Sequence, residues 1–258
     1  MNYIKSGLLL IVMIVFLVSC SKDSGTEPTD EGNNTTTNAS GQPTPTFSNG
    51  VTPDGMMATI QYAFDAGVPG IPPVELAMGY AQFGAMVNAG DVIVNENQLS
   101  ASASSGQTFY IKPGIGSIES LSNVFFNGST HSWTVSGSGD IPALSGDIQS
   151  VNSFNVTSPA NNSTVSKSQN LKVTWSGANN SDEKMMIVLV SVDNSNVVSS
   201  EQDLTNNGSY TIDASKLSSV SGQALLQVLK YRYKTLEANG KSFYLLTEVV
   251  RSLTLTVQ

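Results

Sequence analysis

Residues 171–175 read Leu-Lys-Val-Thr-Trp, a run in which Leu171, Val173 and Trp175 alternate with polar side chains. Successive side chains of a β-strand point to opposite faces, so this run predicts a strand with one buried face. The residues before it, 154–165, read Phe-Asn-Val-Thr-Ser-Pro-Ala-Asn-Asn-Ser-Thr-Val. Proline and asparagine favour turns over a continuous ladder, so this segment predicts an edge strand followed by a turn.

The rest of the second half contains further runs of the same kind. Apolar and β-branched residues are concentrated in residues 185–192, 209–212, 224–233, 243–250 and 252–257. With the two segments above they make about seven strands, which is the number and spacing typical of a β-sandwich.

The first half is also rich in short alternating runs. Residues 56–64 place Ala58, Ile60, Tyr62 and Phe64 on one face of a predicted strand, and residues 91–95, 108–112 and 132–136 predict shorter ones. Residues 74–87 suit either a helix or a strand interrupted by glycine, and we favour the strand. The sequence therefore predicts an all-β fold of two consecutive β-sandwich domains, residues 47–150 and 151–258.

Two segments of the second half carry a family resemblance. TSPANNSTVSKSQNLKVTWSG (157–177) and GSYTIDASKL (208–217) resemble the Ig-like or fibronectin-III-like modules of bacterial lipoproteins. NAGDVIVNENQL (88–99) and HSWTVSGSG (131–139) resemble the companion β domain of uncharacterised lipoproteins of that kind. The resemblance implies Ig-like sandwiches and brings no catalytic chemistry with it.

The N-terminus has the pattern of an export signal. Lys5 precedes an apolar run from Leu8 to Val18, which predicts a signal peptide over residues 1–19 and is short for a membrane-spanning helix. Leu17-Val18-Ser19-Cys20 resembles the lipobox of bacterial lipoproteins. That resemblance implies cleavage before Cys20 and attachment of lipid to it, so that the membrane is a partner through the lipid on Cys20.

Residues 20–46 predict a flexible tether. Between Ser21 and Thr46 there is no aromatic residue and no aliphatic one larger than alanine, so this stretch cannot bury enough apolar surface to fold. A flexible coil of this length reaches about 30 Å. Ser21, in place of an aspartate, and the Lys22-Asp23 pair resemble outer-membrane and surface-export signals of Bacteroidota lipoproteins. We expect an outer-membrane, lipid-anchored protein on the cell surface or the periplasmic face.

The charge and the single cysteine exclude several classes of function. The formal net charge is −8, and loss of Lys5 with the signal peptide would make it −9. Such a chain is a poor partner for nucleic acid. Cys20 is the only cysteine, so there is no disulfide framework and no cysteine-based metal site.

The sequence offers little that could carry catalysis. His131 is the only histidine and has no second histidine to form a metal-binding pair, so we expect it to be structural or exposed. No Gly-x-Ser-x-Gly motif is present. Acids near turns, such as Asp140, Asp147 and Asp182, leave calcium binding and a two-carboxylate hydrolase open as alternatives. We predict no catalytic residue, no metal site and no cofactor.

One aromatic pattern allows two interpretations. Tyr231 and Tyr233 alternate with Lys230, Arg232 and Lys234 along one predicted strand. The tyrosines could form a platform on which sugars stack, or they could face the core and leave the basic residues in solvent. Tyr231 and Tyr233 are the candidate ligand-binding residues.

These observations rank three hypotheses of function. The first is a non-catalytic binding or interaction lipoprotein of the cell envelope, with an envelope protein or a glycan as partner. The second is a surface glycan-binding component of a polysaccharide-uptake system. The third is a hydrolase that uses two carboxylates, which would require buried acids in a cleft.

Overall fold

The structure, a computed structural model, describes residue 45 and residues 53–64, 74–104, 107–114, 117–178, 180–192, 197–220 and 222–258. The predicted signal peptide, Cys20 and the predicted tether apart from Pro45 lie outside these residues. Pro45 is buried.

The described residues form sixteen strands and one helical turn. In chain order they are β1 (Gly55–Phe64), β2 (Val74–Phe83), β3 (Val92–Val94), β4 (Asn97–Gln98), β5 (Ser100–Ser104), β6 (Gln107–Lys112), β7 (Thr130–Val135), β8 (Leu144–Gln149), β9 (Val156–Ser158), β10 (Ser163–Val165), β11 (Leu171–Trp175), β12 (Lys184–Ser191), β13 (Val197–Thr205), β14 (Ser209–Ile212), α1 (Ala214–Leu217), β15 (Gly222–Ala238) and β16 (Lys241–Val257). The all-β prediction is confirmed, and residues 74–83 form the strand that we favoured.

The strands are arranged in one large sheet and two small ones. The large one, the shared sheet, has nine strands in the order β13-β12-β15-β16-β1-β2-β6-β5, with β10 also paired to β16. A four-stranded sheet has the order β4-β3-β7-β8, and a three-stranded sheet has the order β14-β11-β9. In the shared sheet, β1 and β10 run parallel to β16, and the other neighbours are antiparallel.

Both faces of the shared sheet are buried. Its inner face, which includes Leu245 and Val249 of β16, packs in one cluster with Trp133 of the four-stranded sheet and Trp175 of the three-stranded sheet. Its outer face carries a second cluster, which includes Leu246 of the same strand. Ala58, Ile60 and Tyr62 share one face of β1 as predicted, but Met57 on the opposite face is buried as well.

A long hairpin from the second half of the chain lies in the middle of the shared sheet. β15 and β16 each have 17 residues and pair continuously from Gly222 with Val257 to Ala238 with Lys241. Residues 243–257, which we predicted as two strands, are therefore one. β12 pairs with β15 only as far as Tyr231, so the second half of β15 continues alone on that side among the described strands.

The two predicted domains share this sheet. β1, β2, β5 and β6 come from residues 47–150, and the other five strands come from residues 151–258. Each half also contributes one small sheet. The halves therefore do not form separate sheets, although the predicted position of the boundary, near Gln149 to Ser153, stays a prediction. Val151 and Phe154 are buried, so the segment between the halves belongs to the core.

Two cations lie close to the ring of Phe154, in the segment between the two halves, which we call the junction. The Nζ of Lys230 lies 5.3 Å from the centre of its ring, and the guanidinium carbon of Arg251 lies 5.6 Å from it. Arg251 Nε also donates a hydrogen bond to the carbonyl oxygen of Phe154 at 2.7 Å. The Nη2 of Arg251 donates to Ser153 Oγ and pairs with the carboxylate of Glu75, which lies on β2. Arg251 thus joins the second half to the first.

Lys230 belongs to a buried polar network. Its Nζ lies 3.6 Å from Oε2 of Glu183, and the two side chains are 1% and 2% exposed. The same oxygen accepts a hydrogen bond from Asn206 at 3.0 Å, and Asn206 Oδ1 accepts one from the indole of Trp175 at 2.8 Å. Burial lowers the pKa of Lys230, and the charge of Glu183 offsets part of that effect. The network holds the start of β12 against β15.

We expect Lys230→Met to lower the free energy of unfolding by about 3–5 kcal/mol, because Glu183 would remain buried without its cation. The double variant Lys230→Met/Glu183→Gln should lose less stability, since it leaves no unpaired charge in the core. Urea unfolding at pH 7 measures both. Lys241→Met is the control: its pair with Asp54 is 33% and 37% exposed, and such pairs contribute less than about 1 kcal/mol. Equal losses for Lys230→Met and Lys241→Met would contradict the assignment.

Gly146 allows β8 to lie close to the long hairpin. A Cβ atom at this position would lie 2.5 Å from Cδ1 of Leu236 and 3.0 Å from Cδ1 of Leu245. We expect Gly146→Val to lower stability by about 1–3 kcal/mol through overpacking. Gly146→Ala should cost less, because the end of Leu236 can move. Thermal unfolding checks this against Gly114→Ala, whose Cβ would meet nothing within 4 Å. A Gly146→Val protein with the same melting temperature as the wild type would contradict this interpretation.

Candidate functional site

Tyr231 lies in the core. Its side chain is 0% exposed, and its hydroxyl donates a hydrogen bond to Asp203 Oδ1 at 2.7 Å. The Tyr231 hydroxyl oxygen also accepts a hydrogen bond from the Asp203 backbone N–H at 3.0 Å. Asp203 has a φ of 55° at an irregularity in the pairing of β12 with β13. Burial raises the pKa of Tyr231. Tyr231 therefore presents no ring face to a ligand.

Tyr233 lies further along the same outer face and is half-buried. Its ring meets Tyr244 edge-on, with 5.7 Å between centres and an angle of 70°. Because Tyr231 is buried, the two tyrosines do not form a sugar-stacking platform. The alternative interpretation placed the basic residues of this strand in solvent. It is right for Lys234, which is exposed, but Lys230 is buried and Arg232 is half-buried. A ligand-binding role for Tyr233 alone stays a prediction.

A surface groove lies beside this part of β15. We call it the edge groove, and its first part has a volume of about 410 Å³ and is lined by Asp147, Ile148, Gln149, Asp182, Arg232, Tyr233 and Lys234. A second part, of about 460 Å³, lies on the other side of the contact between Gly146 and Leu236 and is lined by Val135, Ala143, Leu144, Ser145, Leu236, Glu237 and Ala238. The groove runs between β8 and residues 232–238.

The edge groove lies where part of β15 has no neighbouring strand on one side and where β8 forms the edge of the four-stranded sheet. β12 begins at Lys184, opposite Tyr231, and the residue before it, Glu183, turns inward to Lys230. No described strand pairs with the outer side of residues 232–238. β8 is the edge strand of the four-stranded sheet, and Gly146 brings it close to Leu236. Two open strand edges therefore face the same groove.

The charges in the first part of the groove balance each other. Arg232 and Lys234 bring two positive charges, and Asp147 and Asp182 bring two negative ones. Arg232 also donates a hydrogen bond to the backbone carbonyl of Gln149 at 3.4 Å. The first part of the groove thus offers both hydrogen-bond donors and acceptors, and the second part adds the carboxylate of Glu237. This chemistry suits a polar ligand without a strong net charge.

His131 takes no part in the edge groove. It is 0% exposed, its Nδ1 lies 2.7 Å from Thr59 Oγ1, and its Nε2 lies 3.0 Å from the carbonyl oxygen of Phe125. A carbonyl oxygen only accepts, so Nε2 carries the proton and Nδ1 accepts from Thr59. Burial lowers the pKa of His131, which keeps the ring neutral. It is a structural histidine, one of the two outcomes that we expected.

The acids near turns do not form a metal site in the described part of the chain. No three His, Cys, Asp or Glu side chains there lie close enough together to hold a metal ion. Asp140 and Asp147 are exposed, as are Asp91, Glu96 and Glu119. Asp147 and Asp182 line the same groove, but Arg232 and Lys234 lie there with them. That arrangement does not favour a metal cation, because two positive charges already lie in the same place.

Sequence reasoning missed the most unusual acid, Glu248 of β16. It is 0% exposed, both of its carboxyl oxygens are buried without a hydrogen-bond partner, and burial raises its pKa to about 8. The signal was available: Glu248 stands in the run Phe-Tyr-Leu-Leu-Thr-Glu-Val-Val of residues 243–250. Because it is enclosed and not in a cleft, it does not supply the hydrolase that we considered.

The helix α1 has four residues. Among the described residues, no helix is long and apolar enough to cross a bilayer.

Comparisons with known proteins found matches among solved structures only. No family model matches the chain, and no curated protein matches it. The fibronectin(III)-like modules of CbhA from Clostridium thermocellum match at 10% identity with a TM-score of 0.24, covering 41% of this chain and 94% of theirs. The BSP domain of a biofilm-associated protein matches at 13% identity with a TM-score of 0.21, covering 70% of this chain and 27% of that one.

Proposed function

We propose that this protein is a non-catalytic binding or interaction lipoprotein of the cell envelope, and that the edge groove is where it binds. The groove carries the proposal, because it is open, has groups of both charges and lies on the hairpin that both halves share. The buried, hydrogen-bonded state of His131 supports a non-catalytic role, since catalysis by a histidine needs access to substrate.

The anchor in this proposal rests on the N-terminal sequence. Cys20 would carry the lipid, residues 1–19 would be removed, and the tether would hold the β domains away from the membrane surface. Two or more acyl chains on one residue make attachment effectively permanent. The protein would then lie at the outer membrane, on the cell surface or on the periplasmic face.

A second candidate is a surface glycan-binding component of a polysaccharide-uptake system. The balanced charges in the first part of the groove favour it, because a neutral polymer of hydroxyl groups would meet both donors and acceptors there. A peptide that adds to β15 as an extra strand is disfavoured. Lys234 and Glu237 are exposed on that edge, and charged side chains on an edge strand act against strand addition.

We expect Cys20→Ser to move the full chain from the membrane fraction to the aqueous fraction, because no lipid would be attached. Detergent phase partition, together with metabolic labelling by an alkyne fatty acid, measures the change. Ser21→Ala is the matched control and should remain lipidated. Labelling that persists in Cys20→Ser would overturn the anchor assignment.

Protease treatment of intact and lysed cells then shows on which side of the outer membrane the β domains lie. Degradation on intact cells would place the domains on the surface, as the glycan candidate requires. Survival until lysis would place them in the periplasm and remove that candidate, leaving an envelope protein as the partner to seek by crosslinking.

We expect Lys234→Ala and Asp147→Asn each to weaken binding of neutral polysaccharides at least fivefold, because both side chains are exposed and line the groove. Affinity electrophoresis on starch, arabinoxylan and laminarin measures this. Lys172→Ala, an exposed change on β11, is the control. Tyr231→Ala is unsuitable, since it would create a cavity in the core. Wild-type protein that binds none of the three polymers would rule out the glycan candidate for them.

A further inference from the structure

Glu248 lies near the centre of the shared sheet, on its outer face. The register of the strands places five side chains in one row across that face: Lys184, Tyr231, Glu248, Ile60 and Met78. Residues directly opposite one another in a sheet share a face, with Cβ atoms about 5 Å apart. The carboxyl group of Glu248 therefore lies between an aromatic ring on β15 and an aliphatic side chain on β1.

The outer face brings no described counter-charge into contact with this carboxyl group. From β15, Tyr231 directs its hydroxyl to Asp203, and Tyr233 lies diagonally from Glu248. From β1, Tyr62 donates its hydroxyl hydrogen bond to the carbonyl oxygen of Ser117. Lys184, on β12, lies two strands away in the row and is half-buried.

Three cations on the inner face, Arg251, Lys230 and Arg232, are engaged elsewhere. Arg232 donates a hydrogen bond to the carbonyl oxygen of Gln149. Arg251 of the same strand pairs with Glu75. Lys230 of β15 pairs with Glu183. Glu248 is thus a carboxyl group enclosed in an apolar cluster and kept apart from the cations of the junction.

We propose that Glu248 is a proton-dependent switch in the shared sheet: its neutral form is compatible with the closed outer face, and its ionised form opens that face to water. An ionised carboxylate without a partner is very costly in an apolar interior. The least disruptive response is local separation of the strands around Glu248, which admits water. The strands concerned are β1, β15 and β16, which hold the two halves of the chain together.

The direction of the pH dependence follows from the burial of the group. Burial raises the pKa of Glu248 from an ordinary 4.5 to about 8 in the folded protein. Its contribution to stability is therefore fully present below pH 4.5, falls as the pH rises between 4.5 and 8, and stays low above 8. Near neutral pH most of the molecules hold the proton, and mildly alkaline conditions release it.

The switch concerns the fold and does not depend on the proposed binding function, but it lies close to the edge groove. Arg232, which lines the groove, pairs across the ladder with Thr247, the residue next to Glu248. Separation of β15 from β16 at this point would move one wall of the groove.

The first test is urea unfolding of the full chain in mild detergent between pH 5 and pH 9. One linked proton changes the unfolding equilibrium constant by up to tenfold per pH unit. We expect the ratio of the wild-type constant to that of Glu248→Gln to rise with pH until about pH 8 and then to level off. Glu237→Gln, which alters an exposed carboxyl group of the same hairpin, should leave the wild-type pH dependence unchanged.

The second test needs no variant. The carboxyl carbon of Glu248 should titrate with a midpoint near pH 8 in carbon-detected NMR of the labelled wild type. A midpoint near 4.5 would overturn the proposal, and so would a Glu248→Gln protein with the same pH dependence as the wild type. If Glu248→Gln does not fold, the NMR midpoint decides by itself.

The opening itself is read by amide hydrogen exchange. After correction for the intrinsic effect of pH on exchange, residues 55–62 and 243–250 should lose protection between pH 6.5 and pH 9 in the wild type. Protection that stays constant in these strands would show that ionisation leaves the outer face closed, and would overturn the switch.

Discussion

The structure depends on the main-chain pairing of β15 with β16. This hairpin runs without a break from Gly222 opposite Val257 to Ala238 opposite Lys241. One end of it pairs with β12 and β10, which belong to the second half of the chain, and the other end pairs with β1, which belongs to the first. Each small sheet then packs on part of the inner face. Two sandwich-like units are thus built on one continuous pair of strands.

At the junction, two ion pairs, Lys230 with Glu183 and Arg251 with Glu75, hold the segment around Phe154 in position. Phe154 lies between Lys230 and Arg251, and each cation also reaches an acid, Glu183 or Glu75. Apolar packing has little directional preference, whereas hydrogen-bonded ion pairs tolerate few alternative positions. The segment between the halves is therefore held in one place by named contacts and does not act as a free linker. Glu248, nearby on the opposite face, has no such compensation.

The edge groove follows from the same arrangement. β12 stops pairing at Tyr231 because the chain before it turns inward at Glu183, and this leaves the far part of β15 open beside β8. The residues that alternate along β15 are consequently divided between three environments: Tyr231 and Lys230 in the core, Tyr233 half-buried, and Lys234 in solvent. Lys234 can therefore be replaced without disturbing the core, whereas Lys230 and Tyr231 cannot.

The sequence by itself determined the all-β class, the inward alternation of Leu171, Val173 and Trp175, and the absence of a histidine-based metal pair. The first two features depend on neighbours along the strand, which periodicity reports, and the third follows from the single histidine in the sequence. It did not determine that the halves share a sheet, because the pairing of β1 with β16 joins residues far apart in the chain. Nor did it distinguish buried from exposed residues on β15, or reveal the enclosure of Glu248. Only the tertiary structure decided these, since burial of a strand's second face depends on which distant strands cover it.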